Sequence, residues 1–532
     1  MAFSPQKSTD LRRWLIAFVL FSAFGGIWGL SSPLFNVPDE PEHAVYAAAA
    51  VRGQVWATTE GGRTTVTVPA DFAAASGIPT CFEFQPHVPA GCAPQFGGRS
   101  GDAEATTTVG HYPPAYYAYA GLATLVADGK TAVYLMRALT VVLVAGLLAS
   151  AACSALATQR PPLALAGLGL ATTPMLFFFA GSVNPQAPEI AAAISLWCAG
   201  LVLLTRLRVD PDLPLTWRNP LLRRCLMAVL LLTVTRPLSL LWLTLIVVAL
   251  LALSGTSKSL VRLMRTGAVI GIAPLVFVTA GSTLAWVVFR DSLTLLPVPQ
   301  WAETPFREAV PTALSTIDAQ LVQMVGTFGW LDTPLRGWVV DVFLIGLVGV
   351  GTLSLAVARR REMIVLGLIA AGVLVIPTVL QLMTYRESGF TWQGRYTLPL
   401  AVGVPLVLGL LLATHEDRRP AGLQGVVRVS GIVFVVVQVA ALLWALNRNV
   451  NGISGFLGVT PAGWAPPLPV RVLAVALAST AVAAVILALR AQPPVVAVAP
   501  IHPVSAPVEA AETGRPASSD RGSVDALRGP AT

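Results

Sequence analysis

The residues most able to do chemistry sit in one short turn, Asn36-Val-Pro-Asp-Glu-Pro-Glu-His43. Three carboxylates (Asp39, Glu40, Glu42) and an imidazole fall within five positions. Pro41 suits the first turn of a helix, and Asp39 or Glu40 has the side chain of a helix cap. The helix would run through Tyr46 and the alanines to Arg52 and stop at Gly53. His43 then lies four residues after Asp39 and three after Glu40, on the same face. Capping and solvation explain such residues in an ordinary loop. An acid–base site explains them where the turn faces a reaction.

Four further segments carry polar groups between apolar runs. His111-Tyr-Pro-Pro-Ala-Tyr-Tyr-Ala-Tyr119 combines an imidazole and Tyr112 with aromatic residues suited to a membrane interface. Ser182-Val-Asn-Pro-Gln-Ala-Pro-Glu189 breaks at two prolines and puts Asn184 in the turn. Glu189 falls one turn inside the next helix, where a carboxylate is costly unless it faces a cavity or partner. Arg236, in Thr-Arg-Pro between two short apolar runs, must likewise pair or reach water or a headgroup. Thr391-Trp-Gln-Gly-Arg-Tyr396 offers Gln393, Arg395 and Tyr396 beside Gly394, which admits a close backbone or ligand. The fork of Arg395 suits a phosphate. In Gly326-Thr-Phe-Gly-Trp-Leu-Asp-Thr-Pro-Leu335, Trp330 reads as an interface anchor and Asp332 as a cap or site residue.

The elements that must position these groups follow from composition. The chain has 532 residues, 55% hydrophobic and 12% charged, with a mean hydropathy of +0.70. Soluble domains carry about 25% charged residues, so a soluble globule, a disordered chain and a coiled coil are excluded. Apolar runs at roughly 14–30, 131–157, 162–181, 187–206, 224–236, 238–254, 264–289, 337–357, 363–384, 396–414, 428–447 and 470–490 predict an all-α polytopic membrane protein of about twelve transmembrane helices. The fifth and sixth runs are short and read as a hairpin of partial spans. The first reads as an uncleaved span, because no small-x-small cleavage site precedes the loop.

The net charge of +8 does not point to nucleic acid, because the basic residues are dispersed between apolar runs. With both termini cytoplasmic, most Lys and Arg of the short segments fall inside, provided that 113–128 lies in the interface rather than crossing. Loops 36–130 and 290–336 then face outward, and the polar motifs share that extracytoplasmic side. Cys81 and Cys92 in the first loop are expected to form a disulfide in an oxidising compartment. Cys153, Cys198 and Cys225 lie in apolar runs as small core residues. From Gln492 onward, prolines and mixed charge predict a disordered cytoplasmic tail. The two domains expected are thus a transmembrane domain over 1–490 and this tail over 491–532.

The motifs VPDEPEH (37–43), HYPPAYY (111–117), SVNPQAPEIAAA (182–193), TRPL (235–238), GTFGWLDTPL (326–335) and QGRY (393–396), with the Arg52-Gly53 stop, resemble the bacterial membrane-protein family called domain of unknown function 2142. That family is grouped with the GT-C glycosyltransferases. The resemblance covers roughly residues 12–450 and departs at Arg336, where a proline is expected. It implies a GT-C-like bundle with a large extracytoplasmic first loop, in which Asp39 is the general base and Glu40 a second carboxylate. Arg236 and Arg395 would meet the phosphate of a polyprenyl-phosphate-linked sugar. His43, His111, Tyr112, Asn184, Glu189, Asp332, Gln393 and Tyr396 would complete the substrate site.

The function expected is therefore sugar transfer with inversion from that lipid donor to a glycan or protein acceptor of the cell envelope, in the cell membrane and without a cofactor. Asp39, Glu40 and His43 have donor types for a divalent metal, but no metal-type spacing is present and none is expected. Two other readings stand. A transporter or flippase of lipid-linked sugars predicts midplane charges and an inverted repeat. A non-catalytic envelope assembly protein predicts indifference to Asp39.

Overall fold

Long apolar runs fold as helices because lipid leaves no other partner for backbone N–H and C=O groups. The computed structural model describes residues 5–254, 257–293, 298–415, 422–455 and 463–493. Among these, nine helices are long and apolar enough to cross a membrane: Asp10–Ser31, Gly129–Ala155, Gln186–Val209, Gly267–Phe289, Gly337–Val357, Arg360–Ser388, Gly394–Thr414, Leu423–Asn451 and Val470–Leu489. A tenth crossing is available if the bent pair Pro161–Ala171 and Pro174–Ala180 counts as one span. The expected twelve is therefore not reached, although every one of the twelve apolar runs is helical.

The shortfall has two causes. Thr172 and Thr173 break the third run, whose halves meet at 66°. Pro174 lacks the N–H needed to continue the first half. In the fifth and sixth runs, Pro220–Val234 and Ser239–Ser254 hold 15 and 16 residues. At 1.5 Å per residue each is about 23 Å long, short of a hydrocarbon core of about 30 Å.

Gln186–Val209 runs through the middle of the bundle, buried at every position from Gln186 to Gly200. A helix apolar on all sides belongs inside a larger bundle. Around it the main core brings together Trp28, Phe177, Phe179, Trp197, Trp242 and Leu406.

A second, smaller core gathers residues between Phe35 and Ala123 with Ala132, Val133 and Met136 of the helix Gly129–Ala155 and with Val183. The helix Glu40–Ala50 packs against a three-stranded antiparallel sheet of Thr59–Glu60, Arg63–Pro69 and Asp102–Thr107. The middle strand alternates exposed and buried residues, and Val66 and Val68 face inward. Ala115–Gly121, from the tyrosine segment, lies on the same helix. A Cβ at Gly121 would sit 2.1 Å from the Ala47 carbonyl oxygen, so only glycine permits this approach. Cys81 and Cys92 are joined by a disulfide. The tail from residue 494 lies outside the described residues, and with it most of the segment expected to be disordered.

Candidate functional site

Asp39 precedes the helix Glu40–Ala50 with φ 65°, in the left-handed region. An L-residue there is strained, though aspartate tolerates it better than most. Its side chain makes no capping hydrogen bond, so the structural explanation for a carboxylate at this position does not apply. The carboxylate instead takes a hydrogen bond from Arg395 Nη2 at 2.5 Å, across 356 residues of sequence. The Asp39 side chain remains 42% exposed, whereas that of Arg395 is 1% exposed. A reachable carboxylate thus stands among the buried side chains of His43, Arg395 and Arg236.

The cluster is built by distant elements. Arg395 comes from the first turn of the helix Gly394–Ala401. Its guanidinium lies over the rings of Phe179, at 4.8 Å, and Tyr396, at 5.1 Å. Arg236 donates to Glu189 Oε2 at 3.1 Å and also lies over Tyr396, at 5.2 Å. Ser239 donates to the other Glu189 oxygen at 2.7 Å. Tyr112 faces both Arg236 and Asp39. Two carboxylates and two guanidiniums thus balance, and three of the guanidinium nitrogens are left over. Nε and Nη1 of Arg395 and Nε of Arg236 are buried and have no partner. Buried donors are costly when unpaired, which suits an anion with several oxygens.

Burial opposes ionisation of Asp39. The charges of Arg395 and Arg236 nonetheless hold its carboxyl below the ordinary aspartate value. His43 is also buried and shares a hydrogen bond of 2.9 Å between Nδ1 and the Tyr117 hydroxyl. Burial pushes its imidazole down to about 3, so it is neutral at physiological pH. The carboxyl of Glu42 is raised by burial and accepts from the Thr108 amide at 2.7 Å.

Other expected site residues are placed elsewhere. Glu40, expected as a second reacting carboxylate, is engaged by other groups. It is fully buried, holds Arg137 through two hydrogen bonds, and accepts from the backbone amides of Phe35 and Val183, both at 3.0 Å. Four donors leave it no capacity for substrate. Asp332 does not join the Asp39 cluster either, because its carboxylate is taken by Arg448 at 2.7 Å and by the Thr333 hydroxyl at 2.8 Å. The charged neighbours of the His111 ring are Arg290 and Asp291. Its carbonyl accepts from Trp286 Nε1 and Ser292 Oγ. Asn184 supports the Asp39 turn. Its side-chain oxygen accepts from the Gln186 amide at 2.9 Å, and its amide reaches the Pro38 carbonyl at 3.5 Å. Gln393 keeps a buried, unpartnered Oε1 beside Arg395 in sequence.

Two buried arginines that matter here, Arg137 and Arg448, were not among the expected site residues. Arg137 lies two turns inside the helix Gly129–Ala155, and such a depth demands a partner. That depth was the available signal. Among the described residues, no group of three or more His, Cys, Asp or Glu side chains is arranged to hold a metal ion.

A family profile described as "Predicted membrane protein (DUF2142)" matches residues 21–404. The chain belongs to that family. The DUF2142 match contains Asp39, Glu189, Arg236 and Arg395, and stops before the helix Leu423–Asn451. No curated protein and no solved structure matched the chain.

Proposed function

We propose that this DUF2142 protein is an integral membrane glycosyltransferase of the GT-C kind. It moves a sugar from a polyprenyl-phosphate-linked donor to a cell-envelope glycan or protein, on the extracytoplasmic face of the membrane. The observation that carries this reading is the Asp39–Arg395 pair, an accessible carboxylate on a buried guanidinium that still has free N–H groups.

In the reaction, the acceptor hydroxyl attacks the anomeric carbon and its proton passes to Asp39. The bond from that carbon to the phosphate oxygen breaks with inversion, and polyprenyl phosphate leaves with the electron pair. Arg395 and Arg236 meet the charge that develops on the leaving oxygen. The charges close. The donor phosphodiester carries one negative charge and the released monoester two, while Asp39 loses its own by protonation.

The same arrangement explains how a weakly basic carboxylate serves as base. At rest, Arg395 holds Asp39 ionised and poorly basic. Donor phosphate bound to the free N–H groups of Arg395 draws the guanidinium from Asp39, whose basicity rises as the substrate arrives. Glu189 and Ser239 keep Arg236 in position throughout.

The test is chemical analysis of envelope glycans in a deletion strain complemented with wild type or Asp39→Asn. The reading expects a missing sugar linkage that wild type restores and Asp39→Asn does not, at equal membrane abundance. Restoration by Asp39→Asn would refute the base assignment. Unchanged glycans in the deletion strain would refute the transferase reading.

A further inference from the structure

Apart from the Asp39 cluster, the helices Gly337–Val357, Leu423–Asn451 and Val470–Leu489 border an open groove of about 600 Å³. Val339, Val435, Val439, Leu443 and Ala478 form its walls. It follows the helix from Val435 to Asn447, twelve residues or about 18 Å. A hydrocarbon core of about 30 Å gives each leaflet about 15 Å, so the groove is one leaflet deep.

Its mouth is charged. Arg336 is exposed and lies 4.3 Å above the Trp444 ring. That ring is fixed, because its Nε1 donates to the Pro334 carbonyl at 3.0 Å. No carboxylate among the described residues pairs with Arg336. Trp338, 52% exposed, stands beside it as an interface residue. A cation without a counter-charge, at the start of a helix long enough to cross a membrane and beside an apolar trough, complements an amphiphile with an anionic head.

We propose that this groove binds an anionic glycerophospholipid of the adjoining leaflet, with one acyl chain in the trough and the phosphate held by Arg336. A trough of one leaflet's depth fits a single acyl chain and is too short for an extended polyprenyl chain. The site makes no use of Asp39 or Arg395, so it stands apart from the transfer chemistry.

The experiment uses the full chain in nanodiscs of phosphatidylcholine, doped with phosphatidylglycerol of the same acyl chains. Lipid retained on the purified protein is counted by native mass spectrometry. Wild type is expected to retain phosphatidylglycerol selectively. Arg336→Gln should weaken that retention about fivefold, the effect of one arginine near a headgroup. Ala440→Phe, which fills the groove, should abolish it, whereas Arg307→Gln, at a highly exposed arginine, should leave it unchanged. Undiminished selectivity in Arg336→Gln, or equal retention of phosphatidylcholine by wild type, overturns the proposal. So does displacement of phosphatidylglycerol by equimolar polyprenyl phosphate, which would make the isoprenoid the occupant.

Discussion

Arg137 and Glu40, 97 residues apart, share two hydrogen bonds of 2.8 and 2.7 Å in a fully buried pair. The remaining Arg137 N–H groups go to the carbonyls of Gly29, Ser32 and Pro33. One guanidinium thereby ties the end of the first span to the residue next to Asp39. The strained φ of Asp39 persists because Glu40, immediately after it, cannot move. The motif that looks like a cluster of reacting carboxylates divides its labour: Glu40 holds the turn, and Asp39 is left accessible for the proposed reaction.

Removing one member of this buried pair strands the other charge, at a cost of about 3–5 kcal/mol. Glu40→Gln should therefore lower thermal stability in detergent sharply, as read by loss of monodisperse protein on heating. A Glu40→Leu, Arg137→Met double substitution should recover little of the loss, because the Phe35 and Val183 amides and the Gly29, Ser32 and Pro33 carbonyls lose these partners as well. A Glu40→Gln protein as stable as wild type would contradict the holding role.

Arg395→Gln removes the proposed phosphate contact and also frees Asp39. Transfer should fall by about 10²–10³, the loss typical of one electrostatic donor at a leaving oxygen. Because Arg395 depresses the Asp39 carboxyl, the acid limb of the remaining activity should move to higher pH. A pH profile of initial rates separates the two effects. An unmoved acid limb would mean that Asp39 is not the titrating base.

His43 and His111 are held neutral by burial, down to about 3 and about 4. The unfolded chain protonates both near 6.5. Between those values the unfolded state binds more protons, so stability must fall as pH is lowered from about 6.5. Each group contributes at most about 1.4 kcal/mol per pH unit in its window. Melting temperatures at pH 7.5 and 5 should differ in wild type, and less so in a His43→Gln, His111→Asn protein. Equal differences in both would dispose of this linkage.

Gly394 lies against the helix Ile317–Val325, and a Cβ there would stand 1.9 Å from the Gln320 carbonyl oxygen. The Gly394 amide donates to Gln323 Oε1 at 2.6 Å. Gly394→Ala must separate the two helices and carry Arg395 off Asp39. Transfer should fall with little change in expression. Normal activity would show that the position of Arg395 is not critical.

Hydropathy made the apolar runs legible one by one, since each run senses only its own transfer free energy. Whether a run spans depends on its length after breaks, and at Thr172 and Thr173 the break was hidden in a continuous apolar stretch. The Asp39 turn was legible from its carboxylates. The division between Asp39 and Glu40 was not, because it is decided by Arg137 and Arg395, far along the chain. Asp332 shows the same limit, since its partner Arg448 lies 116 residues away on another helix. Local chemistry names candidates, and long-range pairing assigns their roles.

The account rests on Asp39 acting on a bound lipid-linked sugar. Its most direct test is a nanodisc assay with purified full-length protein and a panel of radiolabelled polyprenyl-phosphate sugars. Donor binding and release of polyprenyl phosphate are both measured in the presence of cell-envelope acceptor. The account predicts that wild type binds one donor and releases polyprenyl phosphate, and that Asp39→Asn binds that donor without releasing it. Release by Asp39→Asn at the wild-type rate would contradict it.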